Sequence, residues 1–259
     1  MEMVKIQTKT LNSPLKKITM LKSPTSTYNF SIKSYEADQL GRMSLHNFFH
    51  YLQECAYLNA LSNGFGYEFL EKENAYWVLT RVLVQIDEFP NWNDKIQIKT
   101  WPRGAEGLFA VRDFELLKNE KVIGRISSYW MILDKDSRRP KRLDDYDFLR
   151  SDFVVEQAIE RKLEKIRVKG DLEVLDHRKV YPSDMDVNGH VNNATYVRWI
   201  LDSFYSNNKD LVKEFEINFL RELMLNDEFE VCKTKETSQS KYVIKNIKGQ
   251  EVCLVQIKM

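Results

Sequence analysis

The feature that most constrains the fold is an order of segments that occurs twice. The stretch "HNFFHYLQECAYLNAL" (46–61) puts Phe48, Leu52, Cys55 and Ala56 at helical spacing, and Asn47 can help start that helix. The runs "AYWVLTRVLVQID", "DKIQIKTW", "LFAVRDFELLK" and "KVIGRISSYWMILD" follow. All are rich in β-branched and aromatic residues and read as strands, the last two joined by a "KNEK" hairpin turn. The order then returns. "HVNNATYVRWILDSF" spaces Val197, Ile200, Leu201 and Phe204 as a helix with Asn192 or Asn193 as N-cap, and "EFEINFLREL", "DEFEVCKTKE", "KYVIKNI" and "EVCLVQIKM" come after it. An extra strand precedes each helix. Setting Tyr35 on Tyr181 places Asp38 on Asp184 and Asn47 on Asn193, and "WNDKIQIKTW" parallels "LNDEFEVCKT". Such a duplication predicts an α+β protein of two like halves, each a long helix wrapped by an antiparallel sheet that buries its apolar stripe.

The 259 residues suffice for one large domain or two of ordinary size, and 43% hydrophobic content supports a real core. The expected division is a polar lead-in over 1–27, a first half over 28–144, a charged, partly helical connector over 145–170, and a second half over 171–259. Lys+Arg 39 against Asp+Glu 38 lacks the basic excess of a nucleic-acid binder. Cys55, Cys232 and Cys253 are scattered, with no C-x-x-C, which fits a reducing cytoplasm; Cys55 and Cys253 read as core residues. No run approaches the roughly 18 apolar residues of a membrane span, and the N-terminus lacks the apolar region of a secretory signal.

One segment carries chemistry-bearing residues. "DMDVNGHVNN" (184–193) begins like a calcium loop, D-x-D-x-N-G, yet its twelfth position is Thr195, which cannot supply the bidentate carboxylate, and a strand rather than a helix precedes it. No metal or cofactor is expected. Read otherwise, Asp186, Asn188 and His190 occupy alternate positions of an extended segment and so face one side. The following helix N-terminus would offer unpaired N–H groups to a developing oxyanion. In the alignment above the triplet falls on Leu40, Arg42 and Ser44, so only the second half carries it. A turn-and-capping cluster would also account for Asp, Asn and Gly here.

With these residues in view, the sequence resembles the acyl-acyl carrier protein (ACP) thioesterases, the plastid type and its bacterial relatives. The resemblance rests on "FSIKSYEADQLGRMSLHNFFHYLQECA", "YWVLTRVLVQIDEFPNWNDKIQIKTW", "SSYWMILDKDSRRPKRL" and "DMDVNGHVNNATYVRWILDS". It implies a tandem hotdog fold, with Asp186, Asn188 and His190 at the family's catalytic D-x-N-x-H positions. It also implies a Glu-Cys pair on the next strand, where this chain has Glu222 followed by Leu223. Leu223 cannot provide a thiolate, so the implied chemistry is attack by water, with Glu222 or His190 as general base.

The resemblance further implies hydrolysis of long-chain acyl-ACP, releasing free fatty acid and ending fatty acid synthesis. An acyl-chain pocket in the first half would draw on Phe48, Phe49, Leu52, Trp77 and Leu79. The acidic carrier would dock on Arg138, Arg139, Lys141 and Arg142, with the connector's Arg161, Lys162, Lys165, Arg167 and Lys169 adding positive charge. The alternatives are an acyl-CoA thioesterase and a non-catalytic acyl-binding hotdog protein. Self-association as a homodimer is left open.

Overall fold

The computed structural model describes residues 24–146, 156–206, 208–235 and 240–259. The expected lead-in lies almost wholly outside these residues; the strand that opens the first half, β1 (Ser26–Ser31), begins within its last two positions. The first half continues with α1 (Leu45–Ser62), a short α2 (Tyr67–Lys72), β2 (Ala75–Ile86), β3 (Lys95–Glu106), β4 (Phe109–Lys118) and β5 (Lys121–Asp134). The second half has β6 (Leu172–Lys179), α3 (Asn193–Tyr205), β7 (Glu214–Phe219), β8 (Glu228–Thr234), β9 (Ser240–Asn246) and β10 (Glu251–Lys258). Sequence periodicity missed α2, whose six residues are too few to show a helical repeat.

All strands join one ten-stranded sheet ordered β1-β3-β4-β5-β2-β7-β10-β9-β8-β6. The order reads alike from either edge inward, so the halves meet antiparallel at β2 and β7, where Arg81 to Gln85 pair with Asn218 to Glu214. On β2, Val82, Val84 and Ile86 face the helices while Leu83 faces away, the two-residue alternation of a strand buried on both sides. Phe48, Phe49, Leu52, Val197, Ile200 and Phe204 fill one core between α1, α3 and the sheet. The "KNEK" turn forms as expected: Asn119 and Glu120 both take positive φ (51° and 62°), matching the twist of a two-residue hairpin.

The connector crosses the opposite face of the sheet. Ile159 and Leu163 cover Leu83, Val111 and Tyr129 of the first half, and Ile166 covers Cys232, Val243 and Leu254 of the second. Residues 147–155 of the expected partly helical connector lie outside the described ones, and residues 156–170 contain no helix. Its backbone bonds instead to side chains of the sheet, as when Ile166 N–H donates to Asn218 Oδ1 (2.8 Å) and Ala158 N–H to Asp113 Oδ2 (2.9 Å). A segment spread flat on a sheet cannot satisfy its own polar groups as a helix does, so the sheet supplies the partners.

Candidate functional site

The segment before α3 is a tight loop. A 3-10 turn at Pro182–Asp184 leads to Met185, which bridges Val191, and the intervening residues reverse the chain. Asp186 N–H donates to the His190 carbonyl (2.7 Å), and Gly189, at φ 75°, donates to the Asp186 carbonyl (3.1 Å). The Asp186 carboxylate accepts the N–H groups of Asn188 (2.8 Å) and His190 (3.3 Å). The expected extended segment with three side chains on one face is therefore corrected: aspartate and glycine fold residues 186–190 into a turn.

The same loop stands before α1. Asp38 N–H donates to the Arg42 carbonyl (2.7 Å), and Asp38 Oδ1 accepts from Leu40 and Arg42 (2.8 and 3.0 Å). Gly41 has φ 77°, and Ala37 bridges Met43. Glu36 accepts the Lys33 N–H as Asp184 accepts that of Tyr181. The equivalences are thus Glu36 with Asp184, Asp38 with Asp186, Leu40 with Asn188 and Arg42 with His190, which moves the sequence alignment by two residues. Asp186 consequently has a counterpart that makes the same bonds in the half without His190. Its turn-forming role is structural, and Asn188 and His190 are what set the second half apart. The "WND" and "LND" parallel survives in detail, since Asn93 and Asn226 share φ near 70° and donate to Ile32 and Val180 (3.0 and 3.1 Å).

The halves differ in how the loop is closed. In the first, Met43 N–H donates to the Pro90 carbonyl and Trp92 N–H to that of Gly41, both at 2.8 Å. Among the described residues the second half makes neither bond, and Val191 N–H has no partner. The loop after β7 stands off and carries Glu222. The expectation that Glu222 lies on the strand is corrected: β7 stops at Phe219. Glu222 Oε2 lies 3.6 Å from His190 Nε2, with side-chain exposures of 40% and 26%. Leu223 is buried, and its N–H donates to the Tyr196 hydroxyl (3.0 Å). Burial pushes that phenol's pKa well up, so it stays protonated.

The helix end offers less than expected. Asn192 caps α3 by accepting the Ala194 N–H (2.9 Å), and Thr195 N–H donates to the Asn192 carbonyl (2.9 Å). Two first-turn donors are therefore occupied. In the first half Ser44 stands at the cap position, and Asn47 donates to its hydroxyl and to the Glu36 carbonyl (2.8 and 3.1 Å). The calcium reading loses its ligands, because Asp184 pairs with Arg198 (2.5 Å) and Asp186 binds its own turn. Among the described residues no group of three His, Cys, Asp or Glu side chains is gathered as a metal site.

Of the expected pocket residues, Phe48, Phe49, Leu52 and Leu79 share the main core. Trp77 packs instead in a neighbouring cluster with Leu70 and Ile132, and Trp130 touches both clusters. Arg138 reaches the site, its Nη2 3.6 Å from Glu222 Oε2. Arg139 and Arg142 are exposed, and Lys141 donates to the Glu73 carbonyl (2.6 Å). Arg161, in the connector, pairs with Glu214 and Glu216 of β7, the second-half strand at the seam. The roles of Tyr196 and Arg138 here were invisible in sequence, because both depend on contacts across 27 or more positions of chain.

Two helices backed by the halves of one antiparallel sheet, with a polar turn facing a glutamate at one of them, define a double-hotdog protein. The chain belongs to the acyl-ACP thioesterase family: the family's N-terminal domain matches residues 24–149 and its C-terminal domain residues 168–259. It is 34% identical over 193 residues to a chloroplastic palmitoyl-acyl carrier protein thioesterase of Arabidopsis thaliana, covering 68% of this chain and 46% of that one. It is 27% identical over 232 residues to that plant's oleoyl-acyl carrier protein thioesterase 2, covering 80% and 62%. The chain thus spans about half the length of most of the curated relatives it matches. A solved acyl-ACP thioesterase from Bacteroides thetaiotaomicron superposes with a TM-score of 0.79 at 26% identity, over 90% of this chain and 97% of that one.

Proposed function

We propose that the chain hydrolyses the thioester of long-chain acyl-ACP, releasing free fatty acid and so ending fatty acid synthesis. The observation that carries this reading is the Glu222–His190 pair set against an unsealed turn in one half of a duplicated frame. Glu222, with His190, takes a proton from water as the water oxygen bonds to the thioester carbon. The carbonyl oxygen becomes negative and is held by the Asn188 amide and the unpaired Val191 N–H. When the carbonyl re-forms, the carbon–sulfur bond breaks and the carrier's thiol leaves with a proton returned by the acid form of the pair. Leu223 stands where a thiol nucleophile would be needed, and Cys55, Cys232 and Cys253 are all buried, which supports water as the attacking group.

The acyl tail lies against α1, along Phe48, Phe49, Leu52 and Leu79 with Trp77 beyond, and the acidic carrier meets Arg139 and Arg142. Relatives named for palmitoyl and oleoyl substrates support a long chain. No described helix is long and apolar enough to cross a membrane, and unpaired buried thiols suit a reducing compartment such as the cytoplasm.

The test is free-thiol release from palmitoyl-ACP and palmitoyl-CoA by wild type and Glu222→Ala. Rapid release from the ACP substrate, lost in the variant, is expected. Equal rates on the two carriers would make the protein a general acyl thioesterase. Bound acyl chain without release would make it a binding protein and end the hydrolytic reading.

A further inference from the structure

Arg138 belongs to the loop after β5, in the first half, yet its guanidinium ends at the glutamate of the second. The loop is tied down at several points. Asp134 Oδ1 accepts the Ser137 N–H and hydroxyl (both 2.9 Å), and Arg138 N–H donates to the Asp134 carbonyl (3.0 Å). Leu133 bridges Pro140, Lys135 N–H donates to the Asn74 carbonyl (3.0 Å), and Asn74 Nδ2 donates to Asp136 (2.6 Å). Within this frame Arg138 sits at φ 56°, the left-handed region that arginine rarely adopts. Its side chain lies over the Tyr76 ring at 5.5 Å and donates to the Tyr76 hydroxyl.

This arrangement is not explained by stability. Arg138 and Glu222 are 54% and 40% exposed, and ion pairs between exposed side chains return little, whereas a left-handed arginine carries a conformational cost. What the arrangement does achieve is geometry. Glu222 Oε2 faces both Arg138 Nη2 and His190 Nε2, each at 3.6 Å, while no described residue bonds Oε1.

We propose that Arg138 is a positioning residue: it clamps one carboxylate oxygen of Glu222 beside His190, so that the other faces the attacking water. The site is then built from both halves, with the first supplying more than an acyl-chain cradle. Tyr76 takes part by holding the guanidinium in plane. This inference rests on the hydrolase reading above and assigns Arg138 to rate rather than to carrier docking.

The experiment compares kcat and KM for palmitoyl-ACP in wild type, Arg138→Ala, Arg138→Lys and Tyr76→Phe, each checked for an unchanged circular dichroism spectrum. Arg138→Ala should lower kcat about 10- to 100-fold, the scale of a misplaced catalytic group, with KM within about twofold. Added guanidinium ion, below denaturing concentration, should restore part of the lost rate in Arg138→Ala and none in wild type. Lysine should recover less, lacking the planar fork that stacks on Tyr76. Tyr76→Phe keeps the charge and should lose kcat several-fold, and it carries the test if Arg138→Ala does not fold. A raised KM with unchanged kcat, erased by salt, would make Arg138 a docking residue and overturn the proposal, as would unchanged kcat in Tyr76→Phe together with failed rescue. Absence of thiol release by wild type is a separate result, which refutes the hydrolase reading itself.

Discussion

Replacing Arg161 by methionine tests how the connector is held on β7, the second-half strand at the seam. Arg161 Nη1 and Nη2 each donate to Glu216 Oε2 at 3.0 Å, and Nη2 also donates to Glu214 Oε1 at 3.1 Å. Glu216 lies on the seam opposite Leu83 and its side chain is only 5% exposed, against 43% for Arg161. Breaking a fully buried pair costs about 3–5 kcal/mol because a charge is left without compensation. Water can replace part of the half-exposed guanidinium, so the expected cost is about 2–3 kcal/mol. For a chain of this size that is a fall in Tm of about 5–10 °C.

Acidity supplies a second readout. Burial raises the Glu216 carboxyl pKa, with Arg161 opposing the rise. The folded state therefore holds this proton where the unfolded state, near the ordinary glutamate value of about 4.3, has released it. Stability is lost as pH rises from that value through the raised one. Without Arg161 the rise is larger, so the cost should be greatest at pH 8 and should shrink toward pH 5 as Glu216 takes up a proton. Adding Glu216→Leu, which copies Leu83 across the seam, should recover most of the loss. Thermal melts at the two pH values suffice. A cost below about 1 kcal/mol at pH 8, where breaking such a pair should be felt, or an equal cost at both, would refute this account of the seam.

Three further outcomes follow from the site. Tyr196→Phe removes the acceptor of the buried Leu223 N–H and should cost about 1–3 kcal/mol in denaturant unfolding, with a fall in kcat because the adjacent Glu222 loop loosens. An unchanged kcat would show that the loop is held elsewhere. Asp38→Ala and Asp186→Ala should destabilise alike, by about 1.5–3 kcal/mol from lost charged hydrogen bonds, but only Asp186→Ala should abolish thiol release; equal activity loss would break the distinction between the halves. Burial pushes the Cys55 and Cys253 thiols up to about 12 and raises that of Cys232. Iodoacetamide at pH 8 should therefore leave the native protein active, and rapid inactivation would implicate a cysteine in the chemistry.

Much of this protein is determined by local pattern. Helical spacing from Phe48 to Ala56 and from Val197 to Phe204, alternation in the strands, and the "KNEK" turn each state a structure that short-range sterics and one apolar face enforce. That order, occurring twice, was enough to indicate two like halves of helix and antiparallel sheet, whereas the hotdog assignment and the departure at Leu223 came from the family resemblance. The register of the duplication was not, because Tyr35 and Tyr181 match by identity, whereas the loops match by hydrogen bonds made from Asp38 and Asp186. Sequence did offer Asn192 as a cap of the second helix, but it could not reveal that Val191 N–H has no partner among the described residues, or that Arg138 reaches Glu222. Those facts depend on where separate segments meet once the sheet closes, and long-range packing, unlike periodicity, leaves no mark at any fixed spacing along the chain.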